Sequence, residues 1–172
     1  MTASSAVSRK LHGLFEGNVI LPLTGSPGIE CRSGGGSNVY QVVIFFSNNV
    51  VSGSASMTGV GSVSGAPSFS TNTMTINLTG VTDVQQITVT ATGVTDVFAQ
   101  VLPSTAVPMK VLIGDSAGIG NSSVGAADIN FVKSKSGQTA DATNFRADIA
   151  VNASIGASDI NLVKSKSGGG LP

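Results

Sequence analysis

NSSVGAADINFVKSKSG, residues Asn121 to Gly137, and NASIGASDINLVKSKSG, residues Asn152 to Gly168, are one motif written twice, 31 residues apart. The differences (Ser122/Ala153, Val124/Ile155, Ala127/Ser158, Phe131/Leu162) exchange small or apolar side chains for their like. Such self-similarity marks a structural unit used twice. Each copy runs from a polar, glycine-bearing loop to an aspartate, then through an apolar-periodic run to lysines and a glycine. The spacing predicts two short helices, with Val124, Ile129 and Val132 facing inward in one and Ile155, Ile160 and Val163 in the other. Lys133, Lys135, Lys164 and Lys166 fall in the last turns, where cations complement the helix dipole, and Gly137 and Gly168 follow as caps. Repeated loops predict that the copies pack about a pseudo-twofold axis near Val124 and Ile155.

Asp148 opens a twelve-residue loop ending at Asp159, the length of a calcium-binding EF-type loop. Its oxygen donors are Asp148, Asn152 and Asp159 at positions 1, 5 and 12, with the Ser154 carbonyl at position 7. The first loop, Asp115 to Asp128, is two residues longer, and its candidate ligands are Asp115, Asn121, Ser123 and Asp128. With two carboxylates per loop, calcium affinity is expected at the weak, extracellular end, roughly 10⁻⁴ to 10⁻³ M, with the second loop favoured over the first.

From about Val111 to Pro172 the doubled loop, the DIN(F/L)VKSKSG run and the NFRAD spacer at Asn144 to Asp148 resemble dockerin modules, paired loop-helix domains of secreted bacterial proteins. The resemblance implies a calcium-folded module that plugs into a cohesin-like receptor domain. Two positions depart from the pattern: Ala150 stands where dockerins offer Asn or Asp, and Ala153 where a glycine takes a sharp turn. Docking would use Ala126, Ala127, Asn130 and Lys133 of one copy and Ala157, Ser158, Asn161 and Lys164 of the other, and either copy would serve after a half-turn.

Outward from the repeat, residues 1–110 read as all-β and 111–172 as the tail. The unbroken apolar centre of Val39 to Ser47 (VYQVVIFFS) suits a strand buried on both faces. Ser52 to Thr58 and Thr73 to Leu78 alternate, and Gln86 to Thr92 alternates most cleanly, with Ile87, Val89 and Ala91 on one face. Turn signals at Gly34-Gly35-Gly36, Asn48-Asn49, Gly65-Ala66-Pro67, Gly80 and Gly93 recur at short spacing. Together they predict an Ig-like β-sandwich of about seven strands. Ala99 to Pro108, with two prolines, reads as an edge strand or a linker, and Met109 to Ile113 as the last strand. The short connection predicts that the two parts touch, while a chain ending at Lys110 is expected to keep its fold.

Charged residues are only 10% of the chain and the net charge is zero. No basic stripe exists to displace counterions from nucleic acid. No window approaches the roughly 20 apolar residues of a membrane-spanning helix. The start, Met1-Thr-Ala-Ser-Ser, lacks the basic and apolar regions of a secretory leader, so an extracellular or cell-surface location is expected from the resemblance and the Thr/Ser/Gly-rich style of the strands. The single cysteine, Cys31, gives no redox evidence.

Titratable groups for catalysis are scarce. His12, the one histidine, reads as a surface or edge residue. Glu30 and Arg32 share a strand face and read as a surface ion pair worth about 0–1 kcal/mol; alternatively, Arg32 activates a reactive Cys31. With no tryptophan, and Tyr40 in the most buried strand, a flat sugar platform is weakly supported. The expected function is non-catalytic assembly or attachment. The alternatives are self-assembly into a filament or surface lattice from copies of the same chain, and a carbohydrate-binding or adhesin role for the sandwich.

Overall fold

Residues 1–118 and 121–171 are described by the structure, a computed structural model. The strands are β1 (Ala3–His12), β2 (Phe15–Ile20), β3 (Gly28–Glu30), β4 (Tyr40–Phe46), β5 (Val50–Thr58), β6 (Ser62–Val63), β7 (Ser68–Ser70), β8 (Thr73–Thr79), β9 (Gln85–Asp96) and β10 (Val101–Val111). Helices α1 (Ala126–Lys135) and α2 (Ala157–Lys166) follow, with a single 3₁₀ turn at Phe145–Ala147 between them. The chain is thus mainly β with a small α module. The strands beyond the expected seven are chiefly the two- and three-residue pieces β3, β6 and β7, too short to carry a sequence pattern.

Two sheets form, one ordered β2-β1-β4-β8-β6 with β7 also on β8, the other β3-β10-β9-β5. Every pairing is antiparallel except β10 with β3. Alternation places Tyr40, Val42, Ile44 and Phe46 of β4 in one core with Ile87, Val89 and Ala91 of β9. The apolar centre of β4 has its reason: it lies inside the sheet between β1 and β8, and Val43 is buried on the outer face as well. In β9 the inward set steps from Ala91 to Val94 across Gly93, whose φ of +61° admits the extra residue of a bulge.

Of Ala99 to Pro108, the residues from Val101 form an edge strand that continues unbroken through Met109 to Val111, so one strand of eleven residues replaces the two segments expected. The prolines are tolerated because β10 pairs with β9 on one side while, among the described residues, nothing pairs with its other side before Met109.

The first core ends at Val111 and the second begins at Leu112. Val132 and Val163 are fully buried in the second core with Val124, Ile149 and Ile155, and Ile129 and Ile160 pack against it. The copies are reciprocal in a way the repeat does not announce. Val124 donates to Gly169 O at 2.8 Å and accepts from Gly168 N at 2.9 Å, while Ile155 donates to Gln138 O at 2.9 Å and accepts from Gly137 N at 2.8 Å. Each loop therefore pairs with the segment following the other copy's helix, and Val124 and Ile155 do not bridge each other directly.

Candidate functional site

The tail meets the sheets over a buried cluster of charge. Arg32, just past β3, is fully buried, and its five N–H donors are all engaged. Nε and Nη2 grip Glu30 at 2.8 and 2.7 Å, Nη2 also reaches Ser8 O at 3.0 Å, and Nη1 reaches Gly17 O at 2.8 Å and His12 Nε2 at 3.0 Å. Ser8 Oγ donates to the second oxygen of Glu30. Burial pushes the Glu30 carboxyl up, but the Arg32 guanidinium more than reverses this, with Lys10 and Ser8 adding, and holds it down at about 2. A bidentate pair with every proton matched is the arrangement in which burying two charges is tolerable.

His12, at the end of β1, joins this cluster to the tail. Arg32 can only donate, so His12 Nε2 accepts and Nδ1–H donates to Asp148 Oδ2 at 2.7 Å. Asp148 Oδ1 accepts from Asn152 N at 2.9 Å, and Oδ2 also accepts from Ala153 N at 2.8 Å. Burial raises the Asp148 carboxyl, and these donors, His12 first, bring it below its usual range. Phe145 lies over the cluster, its centroid 6.0 Å from that of His12 and 5.3 Å from Arg32 Cζ. Gly17 is obligatory beneath it, since a Cβ there would stand 2.7 Å from Phe145 and 2.9 Å from both His12 and Arg32.

Further contacts fix the tail. Ser33 N donates to Ile149 O at 2.8 Å, Lys166 pairs with Asp83 at 3.0 Å, and Arg146 Nη2 holds Asp115 O at 2.9 Å. The expected surface ion pair and edge histidine are therefore corrected: Glu30, Arg32 and His12 are interior, with Asp148 and Phe145 of the tail packed on His12 and Arg32. Cys31 is buried with them, and burial pushes its thiol up to about 11, the opposite of activation. Chemically the His12–Asp148 pair is a clasp. Its second ring nitrogen is occupied by Arg32 and neither side chain reaches solvent, so it offers no base to a substrate.

The two candidate calcium loops differ sharply. In the second, Asp148 is shared with His12, and Asp159 accepts from Ala150 N and Gly156 N, each at 2.9 Å. Asn152 Oδ1 accepts from Ser154 N and Oγ, each at 3.1 Å. In the first, Asp128 repeats the closure, accepting from Ala117 N and Gly125 N at 2.9 Å, and Asn121 Oδ1 accepts from Ser123 N at 3.3 Å. Asp115 is buried, yet among the described residues neither of its oxygens, nor Ser116 Oγ, has a hydrogen-bond partner. Burial and then the Asp128 carboxylate push the Asp115 carboxyl above its usual range, against Arg146 and Lys110. Among the described residues no three carboxylate, imidazole or thiol groups form a metal cluster. The orphaned Asp115 and Ser116 oxygens are those that could take a cation near the first loop, while Asp128 there, like Asp159 in the second loop, is already closed by N–H donors.

All eight candidate docking residues are exposed: Ala126, Ala127, Asn130 and Lys133 on α1, and Ala157, Ser158, Asn161 and Lys164 on α2. Ser158 also accepts from Asn152 Nδ2 at 3.1 Å, tying helix to loop. Among the described residues no helix is long and apolar enough to cross a membrane. The clasp escaped sequence reasoning because its partners lie 136 residues apart. Its faint signal was three charged or polar groups, His12, Glu30 and Arg32, in segments otherwise apolar. No protein-family model, curated protein or solved structure matches the chain.

Proposed function

We propose that this chain is a non-catalytic extracellular or cell-surface assembly protein, an Ig-like β-sandwich bearing a dockerin-like tail that engages a cohesin-like receptor domain. The observation that carries this reading is the matched exposed face of the two helices. Core packing accounts for the likeness of Val132 and Val163, which are buried, but not for the repetition of Asn130 as Asn161 and Lys133 as Lys164, which face solvent. Repeated exposed polar residues on a rigid scaffold point to recognition.

Calcium belongs to this reading as a weakly held structural ion. In the first loop Asp115 and Asp128, with Ser116, would hold it; in the second, Asp148, Asn152, Ser154 and Asp159. The orphaned Asp115 favours the first loop, reversing the order that loop length alone suggests. When bound, a divalent cation supplies the positive charge that the buried carboxylates lack.

The test changes Asn130, Lys133, Asn161 and Lys164 together to Ala in the full chain. Exposed helix positions shift stability by less than about 0.5 kcal/mol, so the melting temperature stays near that of the parent. Binding to a cohesin-type domain, or self-association by sizing and electron microscopy in calcium, is lost. Association unaffected by the four changes refutes the helix-face reading. A second reading, self-assembly, draws on β5, an edge strand whose nine residues include no charge and no proline to discourage strand addition. Assemblies that persist in the fourfold variant move the contact to that edge.

A further inference from the structure

At the end of the six-stranded sheet where β4 begins, Arg9, Lys10, Tyr40, Gln41, Ser64 and Asn77 line a cleft of about 410 Å³. That size suits a monosaccharide or the end of a peptide. We propose that this cleft is a carboxylate-binding site, distinct from the tail and its helix faces.

The chemistry of the lining carries the assignment. Register places Arg9, Gln41 and Asn77 side by side across β1, β4 and β8. Gln41 Nε2 donates to Asn77 Oδ1 at 2.9 Å, which turns the remaining Asn77 amide hydrogens into free donors among the described residues. Arg9 uses Nε on Glu16 at 3.0 Å and on Asn18 at 3.4 Å, and neither Nη has a partner among the described residues. Lys10 is pinned, its Nζ 4.1 Å from the Tyr40 ring centroid and 2.9 Å from Val39 O. Among the described residues no carboxylate comes within ion-pair distance of it. The lining thus holds Lys10, with no ion-pair partner among the described residues, and Arg9, whose Nε is taken by Glu16 while its Nη donors are not, beside the apolar Val39 and Leu78. An arriving carboxylate supplies the acceptors and the charge, and charge-assisted bonds of this kind are the strong ones.

Lys10 also provides a signature. Burial lowers its ammonium to about 8, with Glu30 raising it and Arg32 lowering it. The groups facing it are Glu30 on β3, Arg32 beyond β3 and Tyr40 on β4. Glu30 and Arg32 stay paired to each other, and burial keeps Tyr40 protonated beyond the ordinary phenol range. Between about pH 7 and pH 9, then, Lys10 is the group in the cleft that loses charge. Affinity for a carboxylate should fall several-fold over that interval.

The experiment titrates isotope-labelled full chain with glucuronate and with acetyl-dialanine, beside their neutral counterparts, methyl glucoside and acetyl-dialanine amide. The expected result is shifts at Tyr40, Gln41 and Asn77 for an acid and none for its neutral partner. Glucuronate alone binding identifies an acidic sugar, and the peptide acid alone identifies a chain terminus. Arg9→Gln and Lys10→Gln each weaken binding at least about tenfold, and Lys10→Gln removes the pH dependence. Arg9 is part-exposed, so its variant remains informative if the Lys10 variant folds poorly. Neutral and acidic probes binding alike, no shifts up to about 10 mM, or an Arg9 variant that binds as the parent does, would overturn the proposal.

Discussion

Two buried carboxylates in this chain have opposite circumstances, and single substitutions should separate them. Glu30 is gripped by Arg32, so its folded-state value lies below its ordinary one. Its contribution is present above about 4.5 and is lost as pH falls toward about 2, an effect on the order of 3 kcal/mol. Glu30→Gln should cost about 3–5 kcal/mol at neutral pH, because it strands the Arg32 charge in the interior. Denaturant unfolding from neutral to acid pH checks both, and a variant as stable as the parent would show that the pair adds nothing. Asp115 has no partner among the described residues. Asp115→Asn in chelator should therefore raise the melting temperature, by about 2–4 °C for each kcal/mol recovered. The same change should abolish stabilisation by calcium, worth about 1.4 kcal/mol at ten times the dissociation constant. Melting curves with calcium and with chelator decide it; an Asn variant that still gains stability from calcium places the ion elsewhere.

At the scale of elements, the loops depend on segments that follow the opposite helix. The C-terminal strip after α2 holds the first loop: Leu171 N donates to Ser122 O at 2.8 Å, and Val124 pairs in both directions with Gly168 and Gly169. The segment after α1 does the same for the second loop, with Ala140 N on Ala153 O at 3.0 Å. A chain ending at Ser167 should thus loosen the first loop and spare the second. Hydrogen exchange at the Val124 amide should speed up at least about tenfold, the equivalent of some 1.4 kcal/mol of lost protection, while Ile155 holds. Equal acceleration at both amides would mean that the two copies open as one unit.

For the whole molecule, the tail is a lid over charge. Residues 112–118 and 121–171 bear on the expectation that a chain ending at Lys110 keeps its fold, because they touch the buried cluster. Removing them deletes Asp148 and Phe145, which contact His12 and Arg32 in the cluster. The shortened chain should unfold at lower denaturant, with a loss exceeding about 3 kcal/mol, as when a buried pair loses part of its surroundings. An unchanged free energy per residue of sheet would show that the sheets stand alone.

The repeat, the strands of clean period two and the identity of the exposed helix residues were legible in the sequence, because each depends on neighbours within a few positions along the chain. Gln86 to Thr92 reads as a strand wherever it is placed, and DIN(F/L)VKSKSG reads as a helix with a polar face. What the tertiary structure alone decided is which polar groups are interior. Glu30 and Arg32 carry the pattern of a surface pair, yet both are buried, Glu30 against Ser8 and Arg32 beneath Phe145 of the tail. The same closure shares Asp148 between its loop and His12, while Asp115 has no donor among the described residues. Burial is a property of what arrives from elsewhere in the chain, and local sequence holds no record of it.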